Sequence, residues 1–365
     1  MKIKAAVLYE KNKPMRIEEV TLDEPQREEV LVKVAAVGLC HTDWHSFRGD
    51  STNPLPIVLG HEGAGIVEKV GPGVTTLKPG DHVVLSVWWS CGKCPACARG
   101  KPTYCFSGRA GPGQLPSGGK RLHTKDGQDI NHYFGQSSFA EYAVVHERTA
   151  IKVRDDAPLD VVCLLGCGAS TGIGMAINMA EVRPGESTVI FGCGGVGLSA
   201  LMGAKVAGGY PIIAVDLLDE KLRQAKELGA DYTINASKED VVKRIQELTG
   251  GGAEKSLECI GNAKATEQAF NATRTLGKCV LIGVYPAGST LTINPAVFIG
   301  TGRVLTGGLV GSIIHNIDVP RYANLYMAGK LPLDKLVSRR IRLEDVNNGF
   351  DAMEKGEVLR SVIKF

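Results

Sequence analysis

Several features that mark membrane and exported proteins are missing from this sequence. No uninterrupted apolar run reaches the roughly 20 residues that a membrane-spanning helix needs. Residues 1–10 contain no apolar stretch of about 7 to 15 residues ending in a small-residue cleavage site, as a secretory signal would. We found no internal repeat and no low-complexity tract. These absences favour a soluble globular protein, and we expect a cytoplasmic location.

Blocks of like charge are missing as well. The chain has 42 Lys and Arg residues against 39 Asp and Glu, and its formal net charge of +3 is spread without a basic block. We therefore expect neither a nucleic acid nor a membrane surface as partner. With 365 residues, 44% of them hydrophobic, the chain is long enough to bury large cores and to form two domains.

Cysteine, by contrast, is plentiful, and four of the ten cysteines fall within fifteen residues. The four are Cys91, Cys94, Cys97 and Cys105. The other six are scattered, and a chain of this length has no need of disulfides. The spacing lets four thiolates converge on one Zn²⁺, which would leave no open coordination position and favours a structural zinc. An iron-sulfur cluster is the alternative, although the run lacks the Cys-x3-Cys-Pro ending of bacterial ferredoxins.

The pattern of short apolar runs changes along the chain. Up to about residue 165, β-rich runs such as 30–37 are broken by Gly and Pro clusters, which indicates a β-barrel or sandwich. From Ser187 onward, strand-like runs alternate with helical stretches, which predicts a parallel, doubly wound α/β sheet. The predicted strands are 187–191, 211–216, 231–235, 255–259 and 278–282, and the predicted crossover helices include 220–229 and 239–249. The Gly-rich segment between Phe106 and Phe134 is expected to be a surface excursion.

A glycine fingerprint directly follows the first predicted strand of the α/β part. The motif G-x-G-x-x-G spans residues 192–197, with Gly192, Gly194 and Gly197 as its fixed glycines and Gly195 and Val196 between the last two. A helical stretch follows, and the next strand ends at Asp216. In this context the glycines allow a tight turn, the approach of a pyrophosphate and close helix packing. The carboxylate of Asp216 would bind the adenosine ribose and repel a 2′-phosphate, so we predict NAD rather than NADP as the cofactor.

Three further soft ligands stand far apart in the sequence: Cys40, His61 and Cys167. Their separations do not by themselves show a metal site, because a buried Cys is more often an inert small hydrophobe. His61 and Glu62 do not form a zincin helix, since Gly65 occupies the place of the second His in H-E-x-x-H. A Cys₂His set with one open position is the arrangement of a catalytic zinc.

Taken together, these motifs resemble the zinc-containing medium-chain alcohol dehydrogenases of the liver type. The resemblance extends over essentially the whole chain. It rests on the order and spacing of four motifs: residues 60–65, the Cys91 to Cys105 quartet, residues 166–168 and the glycine fingerprint. It implies a GroES-like β-barrel catalytic domain of residues 1–168 and 310–365, and an NAD-binding Rossmann domain of residues 169–309. It also implies a homodimer, with a tetramer as the alternative.

The resemblance assigns roles residue by residue. Cys40, His61 and Cys167 match the ligands of the catalytic zinc, and Glu62 matches an occasional ligand beside it. Asp43 matches the carboxylate that orients the zinc-bound imidazole, a role that metal sites commonly require. The remaining matches are a proton relay of Thr42 and His45, cofactor contacts at His41, Lys221 and Arg360, and a substrate pocket with Trp88 and Tyr133.

The implied reaction is the reversible transfer of hydride from a primary aliphatic or aromatic alcohol to NAD⁺. Thr42 would take the alcohol proton and His45 would pass it to solvent. One alternative is a thiol-adduct (S-hydroxymethylglutathione) formaldehyde dehydrogenase. Arg109 matches an anion-binding arginine of those enzymes and Asp50 is an acid in a comparable loop, although His45 stands where they usually carry Tyr. The non-enzyme alternative is a catalytically silent NAD-binding structural or regulatory protein.

Overall fold

The computed structural model describes residues 1–105 and 111–365. The strands are β1 (Lys2–Leu8), β2 (Arg16–Leu22), β3 (Glu29–Gly38), β4 (Ile57–Val58), β5 (Glu62–Val70), β6 (His82–Leu85), β7 (Leu122–His123), β8 (Asp129–Ile130), β9 (Tyr142–His146), β10 (Ala150–Lys152), β11 (Thr188–Phe191), β12 (Ile212–Asp216), β13 (Tyr232–Asn235), β14 (Ala253–Glu258), β15 (Thr273–Leu281), β16 (Val304–Gly307), β17 (Val337–Ile341) and β18 (Arg360–Lys364).

The α-helices are α1 (His41–Arg48), α2 (Pro95–Ala98), α3 (Leu159–Val162), α4 (Gly168–Gly174), α5 (Gly195–Val206), α6 (Asp219–Leu228), α7 (Val241–Thr249), α8 (Ala263–Asn271), α9 (Ala296–Thr301), α10 (His315–Met327) and α11 (Val346–Glu354). Single 3₁₀ turns occupy Pro102–Tyr104, Glu147–Thr149, Cys163–Gly166, Val310–Ser312, Leu333–Leu336 and Leu343–Asp345, and a π turn occupies Met175–Met179. The described residues form two compact units. The first comprises Met1–Cys167, Ile314–Gly329 and Leu333–Phe365, and the second Gly168–Ile313 with Lys330–Pro332.

The first unit is built on two β-sheets. One has the order β4-β1-β2-β7-β8, and the other β10-β6-β5-β3-β18-β17 with β9 also paired to β3. The predicted run 30–37 lies inside β3, which is buried at eight of its ten positions and pairs with β5, β9 and β18. Because both faces of β3 are covered, its sequence is a nearly continuous run of apolar residues rather than an alternation of apolar and polar ones. The predicted β-barrel class of this part of the chain is confirmed.

The segment after the cysteine quartet differs from its prediction as a surface excursion. Residues 106–110 lie outside the described residues, but Leu115 is fully buried and β7 and β8 extend the first sheet. The Arg121 guanidinium forms a buried ion pair with the Glu29 carboxylate at 2.7 Å. The polar composition of the segment concealed this contact, because the buried charges neutralise each other rather than face solvent.

The second unit is a single six-stranded parallel sheet of the order β13-β12-β11-β14-β15-β16. All five predicted strands are present within a few residues of their predicted bounds, and α6 and α7 are the two predicted crossovers. Both helices end at a left-handed glycine, Gly229 and Gly250. The strand order reverses between β11 and β14, and open α/β sheets bind their ligands at the carboxyl ends of the strands beside such a switch point.

A search of the described residues for membrane-spanning helices found no single helix that is long and apolar enough. Two consecutive helical segments with a bend between them, 159–166 and 168–179, reach that length and apolar composition only in combination.

Candidate active site: two metal clusters and a cofactor edge

The first unit brings together the ligands predicted for a catalytic metal. The ligand atoms of Cys40, His61, Glu62 and Cys167 all lie within 4.8 Å of one another. Cys40, His61 and Glu62 are buried, and Cys167 is half-buried. Four potential ligands from three distant parts of the chain therefore meet at one point, as a metal site requires.

Strand pairing explains how these distant residues converge. β3 ends at Gly38, which pairs with Glu62 at the start of antiparallel β5. Cys40 follows the end of β3 and caps the N-terminus of α1, so it lies near His61, which precedes β5. Cys167 follows the buried 3₁₀ turn of residues 163–166.

Asp43 holds the histidine of this cluster in place. Its Oδ1 lies 2.8 Å from Nδ1 of His61 and accepts the backbone N–H of Gly60 at 3.0 Å, while its Oδ2 accepts the N–H of Cys40 at 3.2 Å. Because an ionised carboxylate only accepts hydrogen bonds, Nδ1 of His61 donates a proton to Asp43, and Nε2 is the nitrogen left to ligate a metal. Burial raises the pKa of Asp43, and the His61 charge opposes that effect.

The donor set fits zinc. Nε2 of His61 is buried and has no hydrogen-bond partner in the described structure, as expected of an atom that awaits a metal. Contact with the Cys167 thiol, helped by the Arg360 charge, holds the pKa of Cys40 well below its usual range, while burial acts against this. A thiolate, a second thiol and an imidazole are the ligands that zinc prefers.

Glu62 and Arg360 complete the surroundings of the cluster. Both are buried, and Nη2 of Arg360 lies 3.6 Å from Oε1 of Glu62. Nη1 of Arg360 donates to the carbonyl oxygen of Leu39 at 3.1 Å. The sequence prediction for Arg360 was a cofactor phosphate contact, and the structure places its guanidinium beside the metal ligands.

The predicted relay residues both lie on α1. Oγ1 of Thr42 is 3.8 Å from Sγ of Cys40, so the hydroxyl is close to the metal cluster. His45 is partly exposed, and its Nδ1 lies 2.8 Å from Oδ2 of Asp50. His41, the predicted pyrophosphate contact, is an exposed first residue of the same helix. The helical spacing of Thr42 and His45 places both on one side of α1.

The two predicted substrate-pocket residues are in different places. The Tyr133 ring lies 5.7 Å from the His61 ring, and its hydroxyl donates to the Thr42 carbonyl oxygen at 2.9 Å. Trp88 donates its indole N–H to the Pro102 carbonyl oxygen and lines a cavity of about 450 Å³ that also borders Gly92, between the first two cysteines of the quartet.

Sequence reasoning missed Gln136. Its side-chain nitrogen donates to the His61 carbonyl oxygen at 3.0 Å, and its side-chain oxygen accepts the Gly63 N–H at 3.3 Å. These two bonds of a buried amide hold the backbone on both sides of Glu62, directly after His61. Nothing in the local sequence around Gln136 signals this contact.

The cysteine quartet forms the second cluster. The four Sγ atoms of Cys91, Cys94, Cys97 and Cys105 lie within 4.8 Å of one another, and all ten cysteines of the chain are free thiols. The backbone N–H of Lys93 lowers the pKa of Cys91 to about 6. Four thiol donors in a closed set match a structural zinc site, in which every coordination position is filled by protein.

In the second unit, the fingerprint glycines shape the turn between β11 and α5. At Gly197 a Cβ atom would lie 1.7 Å from the carbonyl oxygen of Gly192, so only glycine allows the helix to pack here. Gly192 has φ of +92°, which also favours glycine. Gly194 caps α5 with open space where a Cβ would point, and no side chain caps the helix. This uncapped N-terminus suits a pyrophosphate.

Asp216 ends β12 next to that turn. Its Oδ2 accepts the Cys193 N–H at 2.8 Å, and its Oδ1 accepts the N–H groups of Leu217 and Leu218. Burial, followed by the Asp216 charge, raises the pKa of Cys193, and the Lys221 charge acts in the opposite direction. Asp216 and Lys221 are thus both near the fingerprint turn.

Exposed apolar side chains follow three of the parallel strands at the same edge. Leu217 after β12, Ile260 after β14 and Val284 after β15 are 62%, 50% and 75% exposed. Large apolar side chains exposed together at one edge form a candidate surface for an apolar or aromatic group. The rings of a dinucleotide are such groups.

Comparison with known proteins identifies the family. Residues 26–155 match the family model "Alcohol dehydrogenase GroES-like domain", and residues 195–326 match "Zinc-binding dehydrogenase". The chain is 42% identical to S-(hydroxymethyl)glutathione dehydrogenase of Paracoccus denitrificans over the full length of both.

Two solved structures are also similar. One is an alcohol dehydrogenase zinc-binding domain protein from Burkholderia ambifaria (TM-score 0.97, 38% identity), and the other is benzyl alcohol dehydrogenase from Acinetobacter calcoaceticus (TM-score 0.95, 40% identity). Each similarity covers 100% of this chain and 99% of the other.

Fold and site together define a zinc-dependent dehydrogenase with a dinucleotide-binding unit. The chain belongs to the zinc-containing medium-chain alcohol dehydrogenase family. The predicted cofactors, zinc and NAD, are those of the family, and the two clusters supply a candidate catalytic zinc site and a four-cysteine structural zinc site. Small molecules are the substrates of its named relatives.

Proposed function

We propose that this enzyme oxidises primary aliphatic or aromatic alcohols to aldehydes with NAD⁺. The observation that carries the proposal is the Phe134 ring, which is 40% exposed and lies 5.3 Å from the His61 ring. The Tyr133 ring packs edge-on against Phe134 at 4.7 Å. An exposed phenyl ring beside a metal ligand offers an apolar wall to the carbon chain of an alcohol whose oxygen is at the metal.

The residues around this wall have distinct tasks. Zinc, when bound, supplies Lewis-acid polarisation of the alcohol oxygen. Thr42 accepts the alcohol proton while its own proton passes to His45, and Asp50 orients the His45 imidazole through Nδ1. Asp43 keeps His61 in the tautomer that leaves Nε2 for the metal. NAD⁺, when bound, would supply the acceptor for the hydride of the alcohol carbon.

The second candidate substrate is S-hydroxymethylglutathione. The 42% identical relative from Paracoccus denitrificans, named S-(hydroxymethyl)glutathione dehydrogenase, favours it. Of the two residues that match the binding of such an adduct, Arg109 lies outside the described residues and Asp50 is paired with His45. A carboxylate already committed to a histidine is a poorer partner for the substrate, so we place this candidate second.

Turnover of three substrates separates the candidates. We expect kcat/KM to be higher for benzyl alcohol and hexanol than for S-hydroxymethylglutathione. Phe134→Ala should lower kcat/KM for benzyl alcohol about tenfold, as expected for the loss of an apolar wall. Phe365→Ala, at an equally exposed phenylalanine, is the matched control. If S-hydroxymethylglutathione is the best substrate and Arg109→Ala removes only that activity, the second candidate is correct. A protein that binds NADH but turns over none of the three would be the silent binder.

We further propose that the two predicted domains have the separate functions that the sequence predicts for them. Residues 1–168 with 310–365 would carry the catalytic zinc, and residues 169–309 would bind NAD through the fingerprint turn and Asp216. The uncapped α5 N-terminus and the exposed apolar edge support this assignment. The ten free cysteines are compatible with a reducing compartment, so a cytoplasmic location stays our prediction.

A homodimer is our proposal for the assembly. β16 lies at the edge of the parallel sheet, and large apolar residues on and around it are exposed, with Ile299 at 91% and Val304 at 44%. An open edge with apolar neighbours is a surface for pairing with a second copy. Sedimentation analysis should give twice the chain mass, and Val304→Lys should give monomers; a tetramer is the predicted alternative.

A further inference from the structure

A buried carboxylate joins the two loops that follow β14 and β15. Glu258, the last residue of β14, is fully buried. Its Oε1 accepts the backbone N–H groups of Ile260 at 2.9 Å and Gly261 at 2.8 Å. Its Oε2 accepts the hydroxyl of Tyr285, from the loop after β15, at 2.8 Å. Donors from both loops therefore meet on one side chain.

The Tyr285 hydroxyl also reaches a third element. It lies 2.7 Å from Oγ1 of Thr266, a fully buried residue of α8, and the Thr266 hydroxyl is 2.9 Å from the carbonyl oxygen of Asn262. Burial raises the pKa of Tyr285. The phenol thus remains a hydrogen-bond donor at physiological pH.

The same two loops touch through their backbones. A Cβ atom at Gly283 would lie 1.9 Å from the backbone nitrogen of Gly261. The loops also carry two of the exposed apolar side chains at the cofactor edge, Ile260 and Val284. A movement of the loop after β15 would therefore move Val284 relative to Ile260, and the bonds of Tyr285 oppose that movement.

The order of the sheet assigns these loops to one half of the cofactor. The fingerprint turn follows β11 and Asp216 ends β12, so the pyrophosphate and the adenosine ribose belong on that side of the switch point. The rest of an extended dinucleotide has to continue across the switch point, toward the carboxyl ends of β14 and β15. That part is the nicotinamide half.

We propose that Tyr285, through its hydroxyl bonds to Glu258 and Thr266, is a positioning residue for the nicotinamide half of the cofactor. It holds the loops that bear Ile260 and Val284 at a fixed separation, and it touches neither the reacting atoms nor the adenosine half. The inference rests on the proposed NAD-dependent function and adds a residue to it that no fingerprint motif contains.

Tyr285→Phe tests this role, because it removes the hydroxyl and keeps the ring. The probes are NADH, measured by fluorescence titration, and ADP-ribose, which lacks the nicotinamide, measured by calorimetry. We expect the Kd of NADH to rise about three- to tenfold, the usual effect of one lost hydrogen bond, and the Kd of ADP-ribose to change less than about twofold. Tyr232→Phe, at a 42% exposed tyrosine that begins β13, should change neither Kd.

The outcomes are distinct. An equal loss of affinity for both probes would mean that the hydroxyl only stabilises the unit, and an unchanged NADH affinity would mean that it positions nothing; either result overturns the inference. If the wild-type enzyme binds ADP-ribose and NADH equally poorly, the proposed NAD-dependent function itself is wrong. Should Tyr285→Phe fail to fold, Thr266→Val removes the other partner of the hydroxyl, and the same contrast between the two probes decides the question.

Discussion

Asp43 and His61 form a fully buried pair, with Oδ1 of the carboxylate 2.8 Å from Nδ1 of the imidazole and both side chains 0% exposed. Burial acts to lower the pKa of His61, but the charges of Asp43 and Cys40 outweigh it and hold that pKa well above its usual range. In the absence of metal, the pair would therefore hold an extra proton. Metal binding has to displace this proton from Nε2, so Asp43 governs both the orientation and the protonation of the ligand.

Asp43→Asn should weaken the catalytic metal site. The amide keeps the shape but removes the negative charge that fixes the His61 tautomer, and the loss of such a partner typically lowers metal affinity about 10- to 100-fold. In a titration with a chromogenic chelator, one of the two zincs of the variant should then be released at a lower chelator concentration than in the wild type. The matched control is Asp129→Asn, in an exposed pair with His123 at 3.1 Å, which should leave both zincs in place.

Thr42→Ala should abolish most turnover without loss of zinc or of NADH affinity. The hydroxyl is the only part of the side chain that can pass a proton, and general acid–base steps contribute about 10²- to 10⁴-fold to rate. Thr42→Ser keeps the hydroxyl and should recover most of kcat. Metal analysis and NADH titration serve as controls, and an alanine variant with near-normal kcat would remove Thr42 from the relay.

Cys94→Ser should reduce stability before it affects chemistry. The variant should bind one zinc per chain instead of two, and its Tm should fall by about 5–10 °C, as the loss of a structural metal implies. The kcat measured below that temperature should change less than about threefold. Cys163→Ala, at a buried cysteine outside both clusters, should keep two zincs. Normal stability combined with lost turnover would reverse the roles of the two clusters.

The zinc-free protein should show an unusually reactive thiol in the cysteine quartet. The pKa of Cys91 is lowered to about 6 by the Lys93 N–H, and burial raises that of Cys97 to about 12. A lowered pKa means that Cys91 is a thiolate above about pH 6 and becomes protonated as the pH falls through that value. Mass spectrometry after iodoacetamide treatment should find Cys91 alkylated first at pH 7, with a rate that falls below about pH 6. Equal labelling of all four cysteines, each titrating near pH 8.5, would contradict this expectation.

Asp216→Gly should shift the cofactor preference toward NADP. The carboxylate repels a 2′-phosphate, and its removal should raise the ratio of kcat/KM for NADP⁺ over NAD⁺ by about 10- to 100-fold. Asp219→Asn changes a nearby exposed carboxylate that pairs with Lys238, and it should leave the ratio unchanged. An unchanged ratio in the Asp216 variant would show that the residue only braces the turn through the Cys193 N–H.

The parts of the site that the sequence predicted well are local. The fingerprint of Gly192 to Gly197 is contiguous, and the strand before it and the helix after it follow from short-range patterns, so its geometry was predictable. The cysteine quartet is also contiguous, and its chelate spacing alone pointed to a metal.

Non-local contacts were harder to predict. The burial of Arg121 against Glu29 joins residues 92 positions apart, and the polar composition of that segment pointed instead to the surface. The placements of Gln136 beside His61 and of Tyr285 beside Glu258 likewise depend on which strands become neighbours.

The sequence by itself determined the cofactor fold and the closed cysteine cluster, because residues near one another in the chain build both. Only the tertiary structure decided whether Cys40, His61 and Cys167 meet, because the pairing of β3 with β5 and the turn before Cys167 bring them together. The physical reason is that ligand type is a property of single residues, whereas a coordination site requires lone pairs to converge within a few ångströms. That convergence depends on strand register and burial along the whole first unit.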